Sequence, residues 1–215
     1  MSKIVEIVGL AGSGKTTLTN NLKSKYCSWE FSYRLPILRT LCFQVVALGK
    51  YLPMVLRYSE PGLIVSNIKL LMYIESLSSF LCRSKSNLTS TLVFDQGIIF
   101  AYASLRKHGL NTAPSSRGDI LGVQILDRYL KVLDGVVVLK GCNETLEERI
   151  LARNTDHRVK CLNCEDRKVF FLGYSIVFQE IIEYLSEHGK LILEIDTSQL
   201  APEQVCQIFE GSPLA

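Results

Sequence analysis

An α/β fold in three layers, with a central parallel sheet of about five strands between helices, is what this sequence predicts. Two observations carry the prediction. Short apolar segments rich in β-branched residues recur along the chain and alternate with stretches of helical pattern. One of them, Gly135-Val136-Val137-Val138-Leu139-Lys140, is apolar almost without interruption, as a strand covered on both faces must be.

The elements follow in order. Residues 3–8 form the first strand. Gly9-Leu10-Ala11-Gly12-Ser13-Gly14-Lys15-Thr16 is a glycine-rich loop, and residues 17–23 read as the opening of a helix. Trp29-Glu30-Phe31-Ser32-Tyr33 alternates aromatic and polar residues and reads as a second strand. Residues 36–85 read as helical, with breaks near Pro53 and at Glu60-Pro61-Gly62. Residues 91–95 are a compact strand ending in Asp95. Helices are expected over 97–107, 120–133, 144–152 and 172–188, with loops at 111–118 and a charge-dense segment at 153–169. Residues 191–195 form the last strand, and Pro202 opens a closing helix, where its missing N–H costs nothing.

The loop at Gly9 to Thr16 fits the phosphate-binding pattern G-x-x-x-x-G-K-[ST] at every defined position, between a strand and a helix. Glycines let backbone wrap closely around a polyphosphate. Amide N–H groups and the helix N-terminus then face the phosphate oxygens. Lys15 is expected to reach the β and γ phosphates, and the Thr16 hydroxyl to bind Mg²⁺. Gly9, Ala11, Gly12, Ser13, Gly14, Lys15, Thr16 and Thr17 are therefore the expected nucleotide-binding set.

The bulk numbers narrow the field. A chain of 215 residues suits one domain that buries its core without disulfides or metal. A net charge of +3 is too small to argue for a nucleic-acid partner. Seven cysteines, an odd number, and no leader-like start point to a cytoplasmic setting. Residues 37–56 are apolar but carry Arg39, Gln44, Lys50 and Pro53, so no transmembrane segment is expected.

Four segments resemble the nucleoside monophosphate kinase group, thymidylate kinase above all. They are the loop at Gly9 to Thr16; Leu92-Val93-Phe94-Asp95-Gln96-Gly97 with Ala101-Tyr102; residues 134–153 with Glu147, Arg149 and Arg153; and Glu194-Ile195-Asp196-Thr197-Ser198 with Pro202-Glu203. The resemblance implies a phosphate-loop NTPase fold over residues 1–215. It implies a helical acceptor-side region at 27–90 and a lid at 153–171. It implies ATP and Mg²⁺ as cofactors, a small-molecule acceptor and a possible homodimer. The residues it implies beside the nucleotide base are Asp196, Thr197 and Ser198.

Asp95 is expected to hold Mg²⁺ through water or to accept a proton from an acceptor hydroxyl. Lys15, Asp95, Arg149 and Arg153 form the expected catalytic set, with Thr16 and Asp95 at the metal. Arginines closing from a lid would stabilise charge on the transferring group. Where the family has Arg after this Asp, the chain has Gln96, and an amide cannot replace a guanidinium fork on a phosphate. The acceptor is thus open between a nucleotide and another hydroxyl compound. Cys161-x-x-Cys164 with His157 reads as two free thiols or as half of a zinc site. A nucleotide-dependent switch with a protein partner on 36–85 is the alternative function.

Overall fold

Strand-forming residues pair here only with parallel neighbours. The computed structural model describes residues 3–23, 27–28, 37–59, 61–108, 117–154 and 156–215. In chain order the elements are β1 (Ile4–Gly9), α1 (Lys15–Leu22), β2 (Cys27–Ser28), α2 (Ile37–Tyr58), α3 (Ile64–Ser84), β3 (Leu92–Asp95), α4 (Ile98–His108), α5 (Arg117–Leu130), β4 (Gly135–Lys140), α6 (Asn143–Leu151), α7 (Cys164–Glu187), β5 (Leu191–Asp196) and α8 (Pro202–Glu210). Short 3-10 turns lie at Pro61–Leu63, Lys85–Asn87 and Arg158–Cys161.

Among the described residues the sheet has five strands in the order β2-β3-β1-β4-β5, all parallel. β1 lies in the middle, and all six of its residues are buried. Its register pairs Ile7 with Asp95 on one side and Gly9 with Leu139 on the other. The carboxyl ends of β1, β3 and β4 therefore share one edge. The connections from the neighbours β1 and β4 leave in opposite directions, toward β2 and β5, and ligands bind at such a switch point in open α/β sheets.

Alternation along β1 divides the core. Ile4 and Val8 join the larger cluster with Leu71, Leu77, Ile98 and Tyr129, while Val5 and Ile7 join Leu18, Leu22, Val205 and Phe209. Helices thus cover both faces, as expected.

Three expectations change. α2 runs through Pro53 without a break; Pro53 is exposed, so water can serve the carbonyl its missing N–H releases. α5 begins at Arg117, inside the segment expected to be a loop. α7 begins at Cys164, so the second half of the expected lid at 153–171 is helix. Asn163 caps it, accepting from Asp166 N at 2.8 Å, and Glu165 and Asp166 complement the dipole in the first turn. The strand expected at 29–33, Arg34, Glu60, residues 111–116 and Thr155 lie outside the described residues.

By length and composition, residues 64–87 and α7 are the described helices apolar enough to cross a membrane. In this fold both lay a face on the core, through Leu71, Ile74, Leu77 and Leu81 of α3 and Phe171, Phe178, Ile181 and Leu185 of α7.

One residue of β1 breaks its apolar run. Glu6 is fully buried, and burial pushes its carboxyl from 4.5 up to about 7, against the lowering effect of its hydrogen bonds. The folded state then binds this proton more tightly than the unfolded chain. Its contribution to stability is present below pH 4.5 and is lost as pH rises toward 7. Denaturant titrations from about pH 4.5 to about pH 7.5 should show wild type losing stability relative to Glu6→Gln across that window. Parallel curves for the two proteins would assign the pH dependence to other groups.

Candidate functional site

The loop after β1 takes its shape from positive φ angles that only glycine adopts freely. Gly12 has φ +86, and a Cβ there would lie 2.5 Å from the Leu146 carbonyl oxygen of α6. Backbone thus packs directly on backbone, and the loop is pressed onto α6. Ser13 N donates to Leu10 O at 3.2 Å, closing the turn. α1 then starts at Lys15 with no side chain capping it, so its first N–H groups face outward as an anion cradle.

Lys15 is folded back over this loop. Its Nζ donates to Gly9 O and Leu10 O, both at 2.9 Å. Desolvation lowers its pKa from 10.5 to about 8; the Asp95 carboxylate opposes that shift and the Arg153 charge adds to it. The Thr16 hydroxyl donates to Asp95 Oδ2 at 2.9 Å, joining the start of α1 to the end of β3. A hydroxyl and a carboxylate meeting beside a phosphate loop are the oxygen donors a hard cation such as Mg²⁺ takes. The residues therefore fit the metal that the sequence implies.

A cavity of about 450 Å³ opens beside the loop. Gly12, Ser13, Gly14 and Thr17 line one side; Leu18, Leu139, Leu200, Pro202 and Val205 supply an apolar wall; Arg149, Ala152, Arg153 and Thr197 close it from α6 and the turn after β5. Its size and mixture suit a small molecule with one polar and one apolar end.

Thr197 ties the walls together. Its Oγ1 donates to Lys140 O at 2.9 Å, with Ser13 O a second acceptor at 3.3 Å, and its N donates to Lys140 O. Arg149 is anchored on the same residue, Nη1 to Thr197 Oγ1 at 3.2 Å and Nη2 to Thr197 O at 2.7 Å. Both ends of its guanidinium are thereby used on the turn after β5. Arg153 is free of such ties: it is exposed, lines the cavity, and forms no ion pair among the described residues. Its charge reaches both Lys15 and His157, whose pKa is lowered by desolvation, then by Arg153, Lys15 and Lys160.

Of the expected binding residues, Gly12, Ser13, Gly14, Thr17 and Thr197 line this cavity. Gly9 lines a smaller one, of about 240 Å³, between β4 and α7. Asp196 and Ser198 line neither: the Asp196 carboxylate accepts from Ser198 N, and Ser198 Oγ accepts from Cys142 N. Ala11 packs against the cluster of Leu146, Ile150, Val159 and Phe171.

Residues 158–167 are tied down by packing and hydrogen bonds. Val159 is buried with Leu146, Ile150 and Phe171. Arg167 donates to Val159 O and Leu162 O at 3.1 and 2.9 Å and pairs with Glu147. Cys161 and Cys164 are exposed free thiols, and among the described residues no three His, Cys, Asp or Glu side chains gather for a metal. Nothing in the sequence points to Arg167, because its spacing from Glu147 carries no local signal.

No family model and no curated protein matches this sequence. Solved structures do match its fold. Deoxyadenosine kinase from M. mycoides with bound dATP superposes with TM-score 0.55 at 15% identity, over 98% of this chain and 97% of that one. Thymidylate kinase from Candida albicans gives TM-score 0.59 at 15% identity, over 97% and 90%. The same M. mycoides enzyme with dCMP and dCDP gives 0.56 at 16%, over 97% of each chain. The likeness establishes the fold, that of the phosphate-loop nucleoside and nucleotide kinases.

Gly12→Ala tests the loop's seating on α6. The new Cβ would have to displace Leu146 backbone, and ATP affinity by calorimetry should fall at least about tenfold, since side chains close to a phosphate cradle disrupt it. Unchanged affinity would mean that the loop does not need this contact.

Proposed function

We propose that this chain is an ATP-dependent small-molecule kinase that transfers the γ-phosphoryl group of Mg-ATP to a nucleotide or another hydroxyl or phosphate acceptor. One observation supports it above the rest: Thr16 meets Asp95 at 2.9 Å and Lys15 lies over the loop, beside a cavity that Gly12, Ser13, Gly14 and Arg153 line.

In this reading the N–H groups at the start of α1 and Lys15 hold the phosphates. Lys15 must exchange the Gly9 and Leu10 carbonyls for phosphate oxygens, which also relieves its desolvation. Thr16 and Asp95 are the residues that would hold Mg²⁺, which would supply positive charge to the phosphate oxygens. Arg153 closes on the transferring group, and Arg149 holds the Thr197 turn against the nucleotide's base end. Asp95 also takes the acceptor's proton.

The setting is proposed to be cytoplasmic, in keeping with exposed free thiols at Cys82, Cys142, Cys161 and Cys164. The exposed apolar side chains Val45, Leu48 and Leu56 of α2 and Val65 of α3 support an interaction face, either a homodimer or the surface of a nucleotide-dependent switch. Sedimentation with and without ATP separates a constitutive dimer from nucleotide-controlled association.

The decisive test is phosphotransfer from Mg-ATP to pooled nucleosides, nucleoside monophosphates, sugars and amino sugars, read by mass spectrometry. A new phosphorylated product is expected from wild type. Lys15→Ala should lower its rate by about 10²–10³-fold or more, the scale for removing one preorganised charge contact at a reacting centre. Near-normal turnover in that variant would overturn the mechanism. ATP binding without a product from any pool would favour the switch.

A further inference from the structure

Asp95 ends β3 at a turn that is held from three sides. Thr16 of α1 donates to its carboxylate at 2.9 Å. Gln96, the next residue, has φ +54, a left-handed conformation unusual for a side chain of its kind, and Tyr73 of α3 donates to its carbonyl at 2.8 Å. The third support comes from beneath, from a residue that the phosphotransfer mechanism has not used.

That residue is Glu6. It stands on β1, the strand that ends at Gly9, and is fully buried. Its Oε2 accepts from Ile99 N at 3.3 Å and from Tyr129 Oη at 2.7 Å, and its Oε1 accepts from Phe100 N at 3.4 Å. Ile99 and Phe100 belong to the first turn of α4, whose N–H groups have no intrahelical acceptor. The carboxyl therefore fills the place of an N-terminal cap, supplied from another strand. Gly97 is cut to fit: a Cβ there would lie 2.5 Å from Glu6 Cδ and 2.3 Å from Phe94 Cε2.

An apolar side chain would pack at this position at less cost. Ile4 and Val8, its neighbours on the same face of β1, are buried and apolar, and an acid among them carries a desolvation penalty. What the acid does, and an apolar residue cannot, is fix where α4 begins. The Asp95–Gly97 turn lies directly before that point.

We propose that Glu6 is a positioning residue for the metal side of the site: by binding the first turn of α4 it fixes the turn that presents Asp95 to Thr16. The same strand thus carries the phosphate loop at its end and, through Glu6, sets the carboxylate that works beside it. This rests on the reading of Thr16 and Asp95 as the Mg²⁺ pair.

The test measures ATP binding by calorimetry in excess Mg²⁺ and in EDTA, together with hydrogen exchange of the first-turn amides of α4 in the free protein. Wild type should bind more tightly with Mg²⁺. Glu6→Met should keep its affinity in EDTA within about twofold, lose the Mg²⁺-dependent gain by about tenfold, and lose protection at Ile99 and Phe100, the scale expected when one or two buried hydrogen bonds go. Glu6→Gln, which keeps one acceptor oxygen, should restore part of both and carries the test if Glu6→Met does not fold.

A Mg²⁺ gain retained in the folded variants overturns the proposal even where amide protection falls, because Glu6 would then cap α4 without setting the metal side. Failure of the kinase reading looks different: wild type itself would show no Mg²⁺ gain, and both ideas would fall together. Lys15→Ala should weaken binding in both buffers, a pattern distinct from that of either Glu6 variant.

Discussion

The burial of β1 between two parallel strands is the constraint from which the rest of this site follows. A strand hydrogen-bonded on both edges and covered on both faces cannot slip, because a shift of one residue would turn its side chains to the wrong layers. Its fixed register places Ile7 beside Asp95 and Gly9 beside Leu139. The phosphate loop therefore emerges with the strand-end carboxylate on one side and α6 on the other. Thr16 reaches Asp95, and Gly12 meets Leu146, as consequences of that register.

The charges gathered at this edge are mostly positive. Lys15 is desolvated and sits near Arg153, and His157 is held toward its neutral form by desolvation and the same cations. Nearby Arg149 and Arg167 are already engaged, with Thr197 and Glu147. Arg153 is left over, with no carboxylate among the described residues to pair with it. Like charges drawn together at a cavity raise the free energy of the empty state and lower that of a complex with a polyanion. Among the described residues, Asp95 is the carboxylate that offsets the Lys15 charge.

Much of this is legible in the sequence, for identifiable reasons. The phosphate loop is local: its residue types and spacing determine its backbone, so Gly12, Gly14, Lys15 and Thr16 can be assigned without a partner in view. β4 is legible to the residue because a strand buried on both faces has no polar position to blur its ends. The start of α7 is obscured because the charge of residues 163–168 suggests a loop, when Asn163 followed by Glu165 and Asp166 is a helix start. Pro53 misleads because its effect depends on which side of α2 faces water. Glu6 and Arg167 are invisible as functional or supporting residues, since what they touch lies 93 positions away in one case and 20 in the other. Long-range contacts of that kind leave no periodic trace.

In the proposed kinase reading, the acceptor would be met at the same turn. Gln96 occupies the place where the resembling kinases carry an arginine, and its backbone is held left-handed by Tyr73 while its side chain stays exposed. The residue after Asp95 thus carries an exposed, uncharged amide. An amide offers one donor group and one acceptor, which suits a hydroxyl better than a phosphate dianion. Under the proposed kinase reading, an exposed amide at this turn accords with a hydroxyl acceptor, one of the acceptor classes that reading allows.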